Sequence, residues 1–312
     1  MSHSLGVAPD VGHRDRRRAG VSKLGRMGDW DGGRLDERQR AVVAARLRGP
    51  ALVADMSWGL VDTRVLHVRA GGADYVVKAG GAGNHHIGRE IDAHETAVAA
   101  LRGVGRCSRL VAADRGAGLL ITTYLSGRLA EGTPAAHDPA VHAQAGALLR
   151  LLHDAGSRAD DAVHAALTTR ALARLDEPHR LSEETAERAR GILSRSRPGR
   201  MTVVPTHGDW QPRNWLWDGE LLRAIDFGRF DHRPAASDLV RLSAQQWRGR
   251  PDLEAAFLDG YGGDPRDASS WPVLLLCEAV GTAVWAYQVG DEPFESQGHR
   301  MVADALALFP GA

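Results

Sequence analysis

Lysine is nearly missing from this sequence. Its 312 residues include 37 Arg but only two Lys, Lys23 and Lys78. On a solvated surface Arg replaces Lys at little cost. Where a compact point charge on a flexible stem is needed, Arg's wide planar fork is a poor substitute. Lys78 ends the strand-like run "DYVVKAG" and does not sit on a polar face, which makes it a candidate for such a role; an edge-strand lysine is the plain alternative. Cysteine is scarce as well. Cys107 and Cys277 lie far apart, which excludes a disulfide framework or a CxxC metal site and fits a reducing cytoplasm. No run approaches 18 uninterrupted apolar residues and no charged-then-apolar leader occurs, so neither a membrane span nor a signal peptide is expected. Neither sign of charge is in excess: Lys and Arg total 39 and Asp and Glu total 39, so the overall balance points to no nucleic-acid or membrane partner. Internal repeats and low-complexity tracts are absent too. What remains, 43% hydrophobic and 25% charged residues, is ordinary for a soluble globular chain long enough for one large domain or two lobes.

Residues 1–33 are Gly-rich, carry "HRDRRRAG" and show no periodicity; they are read as a disordered basic arm, with Met27 as a candidate start. Nucleic-acid contact through that arm is the lesser reading. "LDERQRAVVAARL" (35–47) predicts a helix stopped by Gly49-Pro50. Three strands are expected at 51–56, 63–70 and 74–79, with Gly71-Gly72 as a hairpin signal between the last two. The connection "SWGLVD" holds a single glycine, Gly59, so no GxGxxG is present. Ile87, Ile91, His94, Val98 and Leu101 recur at helical spacing, with Glu90 and Glu95 on opposite edges of that seam. "GLLITTYLSG" (118–127) reads as one buried strand. The rest is mostly helical. Asp138-Pro139 starts one helix, which carries Val141, Leu148, Leu149 and Leu152 inward, and Ser182 starts another. Further helices are expected at 237–247, 252–259, 271–289 and 297–308.

The densest chemistry lies in "VVPTHGDWQPRNWLWDGELLRAIDFGRF" (203–230). "MTVVP" predicts a buried strand that delivers the chain to His207. "NWLW" and "LLRAI" predict two short strands turning at Asp218-Gly219. Such a hairpin sets Asn214 beside Asp226 at one end, with Asp209 on the loop leading in. Two carboxylates and a carboxamide that converge need a counter-cation, and hard oxygen ligands suit magnesium rather than zinc. Phosphoryl transfer calls for a metal on the phosphates, an acceptor for the nucleophile's proton and a cation on the non-transferred phosphates. Taken singly, each residue has a blander role: an Asp beside a turn is usually a cap, and a buried His usually structural.

"HGDWQPRN" resembles the H-x-D-x-x-x-x-N catalytic loop of the protein-kinase-like superfamily, and its HGD form is similar to the aminoglycoside phosphotransferase and choline kinase group. "IDFGRFDHRPAASDL" is similar to that group's second metal motif; "VVK", the following helix and "LLITTYLSG" resemble its first lobe and hinge. The likeness spans roughly residues 45–310. It implies an α+β, two-lobed kinase-like fold: a small antiparallel lobe with one helix over 34–125, a hinge near 123–127, and a larger helical lobe over 126–312. It further implies ATP and Mg2+ as cofactors, Asp209 as catalytic base, and Asn214 and Asp226 as metal ligands. Lys78 would grip the phosphates, paired with Glu95 or, as second choice, Glu90. Thr123, Tyr124 and Leu125 would form the adenine hinge, Ser57, Trp58 and Gly59 a thin phosphate loop, and His207 and Asp238 the structural support. Only 11 residues separate Asp226 from Asp238 and no APE follows, so there is no peptide platform and a small-molecule hydroxyl is the expected acceptor.

Residues 250–312 hold ten acids against three Arg. An acidic wall there would draw a cationic acceptor such as an aminoglycoside; a solvated acidic face is the rival reading. Trp247, Tyr261, Trp271, Trp285 and Tyr287 could stack on a sugar or hold a quaternary ammonium, or could be core. The resemblance leaves antibiotic, amino alcohol and sugar acceptors open, and a non-catalytic nucleotide-binding protein is the alternative of another class.

Overall fold

The structure, a computed structural model, describes residues 30–58, 62–81, 83–197 and 199–310. Most of the expected basic arm, with Lys23 and Met27, lies outside these, as does Gly59. The arm's end is not irregular: Trp30 packs on the first core, and buried Asp31 accepts the Leu35 N–H through Oδ2 at 2.7 Å.

Helix α1 (Glu37–Arg46) opens with a reciprocal cap: Asp36 accepts the Gln39 N–H, and the Gln39 side chain accepts the Asp36 N–H. There follow β1 (Ala51–Asp55), β2 (Thr63–Ala70), β3 (Ala73–Gly80), α2 (His85–Thr96), α3 (Ala99–Gly103), β4 (Leu110–Asp114) and β5 (Leu119–Thr123). The five strands form one antiparallel sheet in the order β1-β2-β3-β5-β4. Alternation along the strands makes two faces. Leu66, Val68, Val77, Ala79, Leu119 and Ile121 pack under Val43 of α1, while Leu120 meets Ile87 and Ile91 of α2 on the other face. Lys78, between Val77 and Ala79 and paired with Leu120, therefore points to α2. The seam expected as one helix is broken at Ala97–Val98 into α2 and α3, though its five apolar positions are all buried. Strand β4, "LVAAD", was not anticipated, and the strand expected over 118–127 ends at Thr123.

The second lobe begins with β6 (Arg128–Leu129) and α4 (Pro139–His153), capped by Asp138. Next come β7 (Arg158–Asp160), α5 (Val163–Leu175), α6 (Glu183–Arg195), β8 (Met201–Thr206), β9 (Trp215–Trp217), β10 (Leu222–Ala224) and β11 (Asp231–Arg233). It closes with α7 (Val240–Ala244), α8 (Pro251–Tyr261), α9 (Trp271–Val289) and α10 (Glu292–Ala307). Helices α4 and α8 cross on glycines: a Cβ at Gly146 would lie 2.1 Å from the Phe257 carbonyl oxygen, and one at Gly260 2.0 Å from that of Ala143. This crossing and the β9–β10 hairpin share a core that includes Trp210, Trp215 and Phe227, while α5, α6, α9 and α10 enclose another. Helix α9 is long and apolar enough by composition to cross a membrane, yet half of that stretch is buried in the fold. The helix expected over 237–247 is a 3-10 turn, Ala235–Leu239, followed by short α7.

Candidate active site

Strand β8 carries the chain into His207-Gly208-Asp209. Gly208 has φ +79, and a Cβ there would lie 2.4 Å from the Arg229 carbonyl oxygen, so both backbone and space demand glycine. The loop is tied from behind. Buried Asp238 accepts the backbone N–H groups of His207 (2.8 Å) and Gly208 (2.6 Å), and His153 Nε2 stands 3.1 Å from the same carboxylate. Burial would raise the Asp238 pKa; the His153 contact and the N–H donors hold it below the ordinary carboxylate value. His207 donates from Nε2 to the Ile225 carbonyl at 3.0 Å, bracing the loop against the hairpin. The resemblance assigned His207 and Asp238 to such support.

Asp209 is itself buried, and its carboxylate is crowded with donors. Gln211 reaches Oδ1 at 2.5 Å and Arg241 at 2.9 Å; Arg213 reaches Oδ2 at 2.7 Å and Asn214 at 3.0 Å. Burial pushes its pKa up, but Arg241, Arg213 and Arg229 outweigh burial and leave it well below the usual range. These arginines were not among the residues expected at the site. Arg213 was visible four residues after Asp209; Arg241 arrives from α7 by tertiary folding alone.

The hairpin turns more widely than the two-residue Asp218-Gly219 signal implies: Trp217 lies opposite Leu222 and Trp215 opposite Ala224, leaving residues 218–221 as the connection, and the Ile225 N–H donates to the Asn214 carbonyl. That sets Asp226 one residue beyond the pairing. Asp226 is the one non-glycine among the described residues at positive φ, +65, a conformation that costs an L-residue about 1–3 kcal/mol. The twist aims its half-exposed carboxylate at Lys78, with Oδ1 2.8 Å from Nζ. Lys78 also donates to both oxygens of Glu90, at 3.0 and 2.8 Å. Burial would lower the lysine's pKa; Asp226 and Glu90 more than reverse that and keep it charged. Lys78 in turn lowers the Asp226 pKa, while burial raises that of Glu90.

Glu90 thus takes the place expected for Glu95. Five residues along a helix rotate a side chain by about 140°, so Glu95 faces outward, half exposed, and pairs with Arg115 at 2.8 Å. In the segment expected as the hinge, the Thr123 N–H donates to the Arg109 carbonyl and the Tyr124 N–H to that of Asp74, while the Tyr124 ring stacks on His67 at 4.2 Å. The Leu125 N–H is bonded to none of the described residues. Ser57 faces the sheet edge, its Oγ accepting the Val65 N–H at 3.0 Å, and Trp58 is exposed at the cleft.

Among the described residues no group of three His, Cys, Asp or Glu could hold a metal. Asp226 and Asn214 nevertheless fit magnesium as hard oxygen donors. Asn214 spends its amide N–H groups on Asp209, and its Oδ1 accepts nothing from the described residues. A cation held mainly by phosphate and water needs no more than one or two such protein ligands.

A cleft of about 880 Å³ opens beside the loop, at Gly208 and Arg213, lined by Trp58 and α2 on one side and by the loop, α5, α9 and α10 on the other. Its charge is the reverse of the expected acidic wall. Arg89, Arg213, Arg229, Arg233 and Arg241 crowd the loop end, joined by Arg170 and Arg174 from α5, against Glu278 and Asp291. The other acids of residues 250–312 do not line it, and five of them are paired elsewhere. Asp252, Glu254 and Asp264 pair with Arg250 and Arg266, Glu295 with Arg180, and Asp304 with Arg248. Of the five aromatic residues singled out, only Trp285 lines the cleft. Trp247 and Tyr261 are core, Trp271 packs against core, and Tyr287 lies under Arg180.

The family model described as "Phosphotransferase enzyme family" matches residues 57–271. No curated protein matches the sequence. Among solved structures, the fold is similar to a choline kinase from Streptococcus pneumoniae, at 14% identity and TM-score 0.62 over 87% of this chain and 98% of that one. It is similar to a thermostable aminoglycoside phosphotransferase mutant solved with ADP and hygromycin B, at 13% identity and TM-score 0.63 over 89% and 100%. It also resembles a macrolide 2'-phosphotransferase from Brachybacterium faecium, at 16% identity and TM-score 0.55 over 84% and 96%. These identities speak for the fold: an antiparallel first lobe and a helical second lobe of protein-kinase type.

Proposed function

Because the chain belongs to the phosphotransferase enzyme family and is a small-molecule phosphotransferase acting on a hydroxyl, we propose that it takes the γ-phosphate from ATP and that Asp209, Asn214, Asp226 and Lys78 carry the transfer. One observation supports this most: Lys78 is clasped by Glu90 on one side and Asp226 on the other, beside the loop that presents Asp209 and Asn214.

Lys78, held charged and aimed by Glu90, is suited to bind the non-transferred phosphates. Nucleotide entry gives its ammonium a new partner and frees Asp226. Magnesium, held by Asp226 and the Asn214 Oδ1, would neutralise charge on the phosphate oxygens. Asp209 orients the acceptor hydroxyl. As the acceptor oxygen bonds to phosphorus and the bond to the ADP oxygen breaks, the hydroxyl proton passes to Asp209. A carboxylate with so low a pKa is a weak base, which suits a loose transition state in which the proton moves late. To accept that proton, Asp209 must give up one of its donors, Gln211, Arg213, Asn214 or Arg241. The hinge Thr123–Leu125 supports an adenine site through the unpaired Leu125 N–H, and the segment 57–59 is placed to cover the phosphates.

The solved neighbours act on choline, an aminoglycoside or a macrolide, so antibiotic, amino alcohol and sugar acceptors all belong to the reading. Asp209→Asn should lower phosphate transfer by about 10²–10⁴-fold and leave nucleotide affinity unchanged, while the loss of its buried pairs with Arg213 and Arg241 lowers the melting temperature. Wild-type turnover in that variant would remove Asp209 from the mechanism. A non-catalytic relative would be expected to lack the base, the metal ligands or the lysine, and all are present.

A further inference from the structure

The charge of the cleft narrows the acceptor, an inference that rests on the phosphotransferase reading. Seven guanidiniums face two carboxylates, Glu278 and Asp291, across the lining. Several of the seven are already engaged. Arg213 and Arg241 hold Asp209, Arg241 also holds Glu278, and Arg174 pairs with Glu177. Arg233 is braced by Thr206 and the Arg229 carbonyl, with Asp231 at 3.5 Å. The guanidiniums of Arg89, Arg170 and Arg229 form no ion pair or hydrogen bond with the described residues.

Arg229 is the most telling of these. It is half-buried, and burial pulls its pKa down; repulsion from Arg241 and Arg213 is set against attraction from Asp209 and Glu278, neither of which reaches its guanidinium as an ion pair. A desolvated cation pressed against other cations is costly unless an anion arrives. Nucleotide phosphates account for some of this charge, since Lys78 and the α2 end with Arg89 lie toward the first lobe. They account poorly for Arg170 and Arg174, which rise from α5, a helix packed on α6 and α9 in the second core.

The cleft also has an apolar side. Leu167, Leu274, Trp285 and Phe294 line it, the two rings meeting edge-on at 5.8 Å. We infer that the acceptor is an alcohol bearing an oxyanion, a carboxylate or a phosphate, which sits on Arg170 and Arg229, with Arg174 adding its charge from its pair with Glu177, while its apolar or aromatic body lies on Trp285 and Phe294. The fork of each guanidinium matches either oxyanion bidentately. A polycation is repelled from the same surface.

The test titrates the full chain, loaded with magnesium and AMP-PNP so that Lys78 is occupied, with charge-matched probes. Glucose 6-phosphate is compared with glucose, mandelate with benzyl alcohol, and kanamycin and choline serve as cationic probes. At least one oxyanion probe should bind roughly tenfold or more tighter than its uncharged parent, and more weakly as salt rises. Phosphate and carboxylate arms tell the two oxyanions apart. Kanamycin and choline should not bind. Arg170→Glu, and Arg170→Glu with Arg174→Glu, should weaken the oxyanion at least roughly tenfold while the AMP-PNP Kd stays within about twofold, which also reports that the variants fold. The inference is overturned if neither oxyanion binds better than its parent, or if a cationic probe is the one that binds. It is equally overturned if the charge reversals move the AMP-PNP Kd and not that of the oxyanion. Failure of AMP-PNP to bind at all strikes the phosphotransferase reading instead, and the oxyanion titrations, run without nucleotide, still decide this one.

Discussion

Lys78 keeps its charge between two carboxylates, and the largely buried position of Lys78 and Glu90 makes each dependent on the other. Glu90→Gln leaves the ammonium held by Asp226 alone, in the position that binds phosphate. It should raise the AMP-PNP Kd by roughly tenfold or more, whereas Glu95→Gln should change it by less than about twofold; equal effects measured by calorimetry would refute the pairing. His94 offers a stability test. It is buried against Phe227, its Nδ1 has no hydrogen-bond partner among the described residues, and burial lowers its pKa to about 4. Below the unfolded value near 6.5 the unfolded chain takes up a proton that the folded chain refuses, so stability is lost as pH falls from 6.5 to 4, by about 3 kcal/mol at most. His94→Leu should flatten that part of the melting-temperature profile, and an unchanged slope would assign it to other groups. Asp209, Asn214 and Asp226 were legible in the sequence because one loop and one hairpin position them, and Asp238 through its motif on the 3-10 turn that follows. Arg241 was not, because it reaches Asp209 from 32 residues away through packing. Glu90 was a close miss, since both candidate glutamates border the same apolar seam and only the helix rotation separates them.

Elements were legible where their ends are marked. Helices α1, α4 and α6 begin at Asp36, Asp138 and Ser182, each side chain accepting a backbone N–H of the first turn. Helix α5 went unseen: Ala162 precedes it with no side-chain cap of its own, and the signal sits two residues earlier, where Asp160 accepts the Ala162 and Val163 N–H groups. Strand β4 is short and Ala-rich, and its place at the sheet edge is decided by β5. The α4–α8 crossing sets up another comparison. Gly146→Ala forces a methyl into the Phe257 carbonyl and should destabilise by about 1–3 kcal/mol. Gly88→Ala, on α2 with nothing within 4 Å of the new Cβ, should stabilise by about 0.5–1 kcal/mol. Chemical denaturation reads both, and a tolerated Gly146→Ala would mean that the two helices can part at little cost.

At the scale of the molecule, the two-lobed fold followed from the resemblance, while the electrical character of the cleft did not. Net charge over a stretch of sequence says nothing of which way each side chain turns. The acids of residues 250–312 largely cap helices or answer nearby arginines, and the cleft collects cations from six separate elements and loops. Ligand linkage tests the whole assembly: AMP-PNP with magnesium at about a hundred times its Kd should stabilise the fold by about 2.7 kcal/mol, and Lys78→Met should abolish the shift in melting temperature. A retained shift would place the nucleotide elsewhere. The scarcity of lysine has a practical corollary. Because Lys78 is the sole primary amine among the described residues, an acylating nucleotide analogue should leave its mass tag on one peptide of the folded body. Protection of that peptide by unmodified ATP would then report occupancy directly, whatever molecule receives the phosphate.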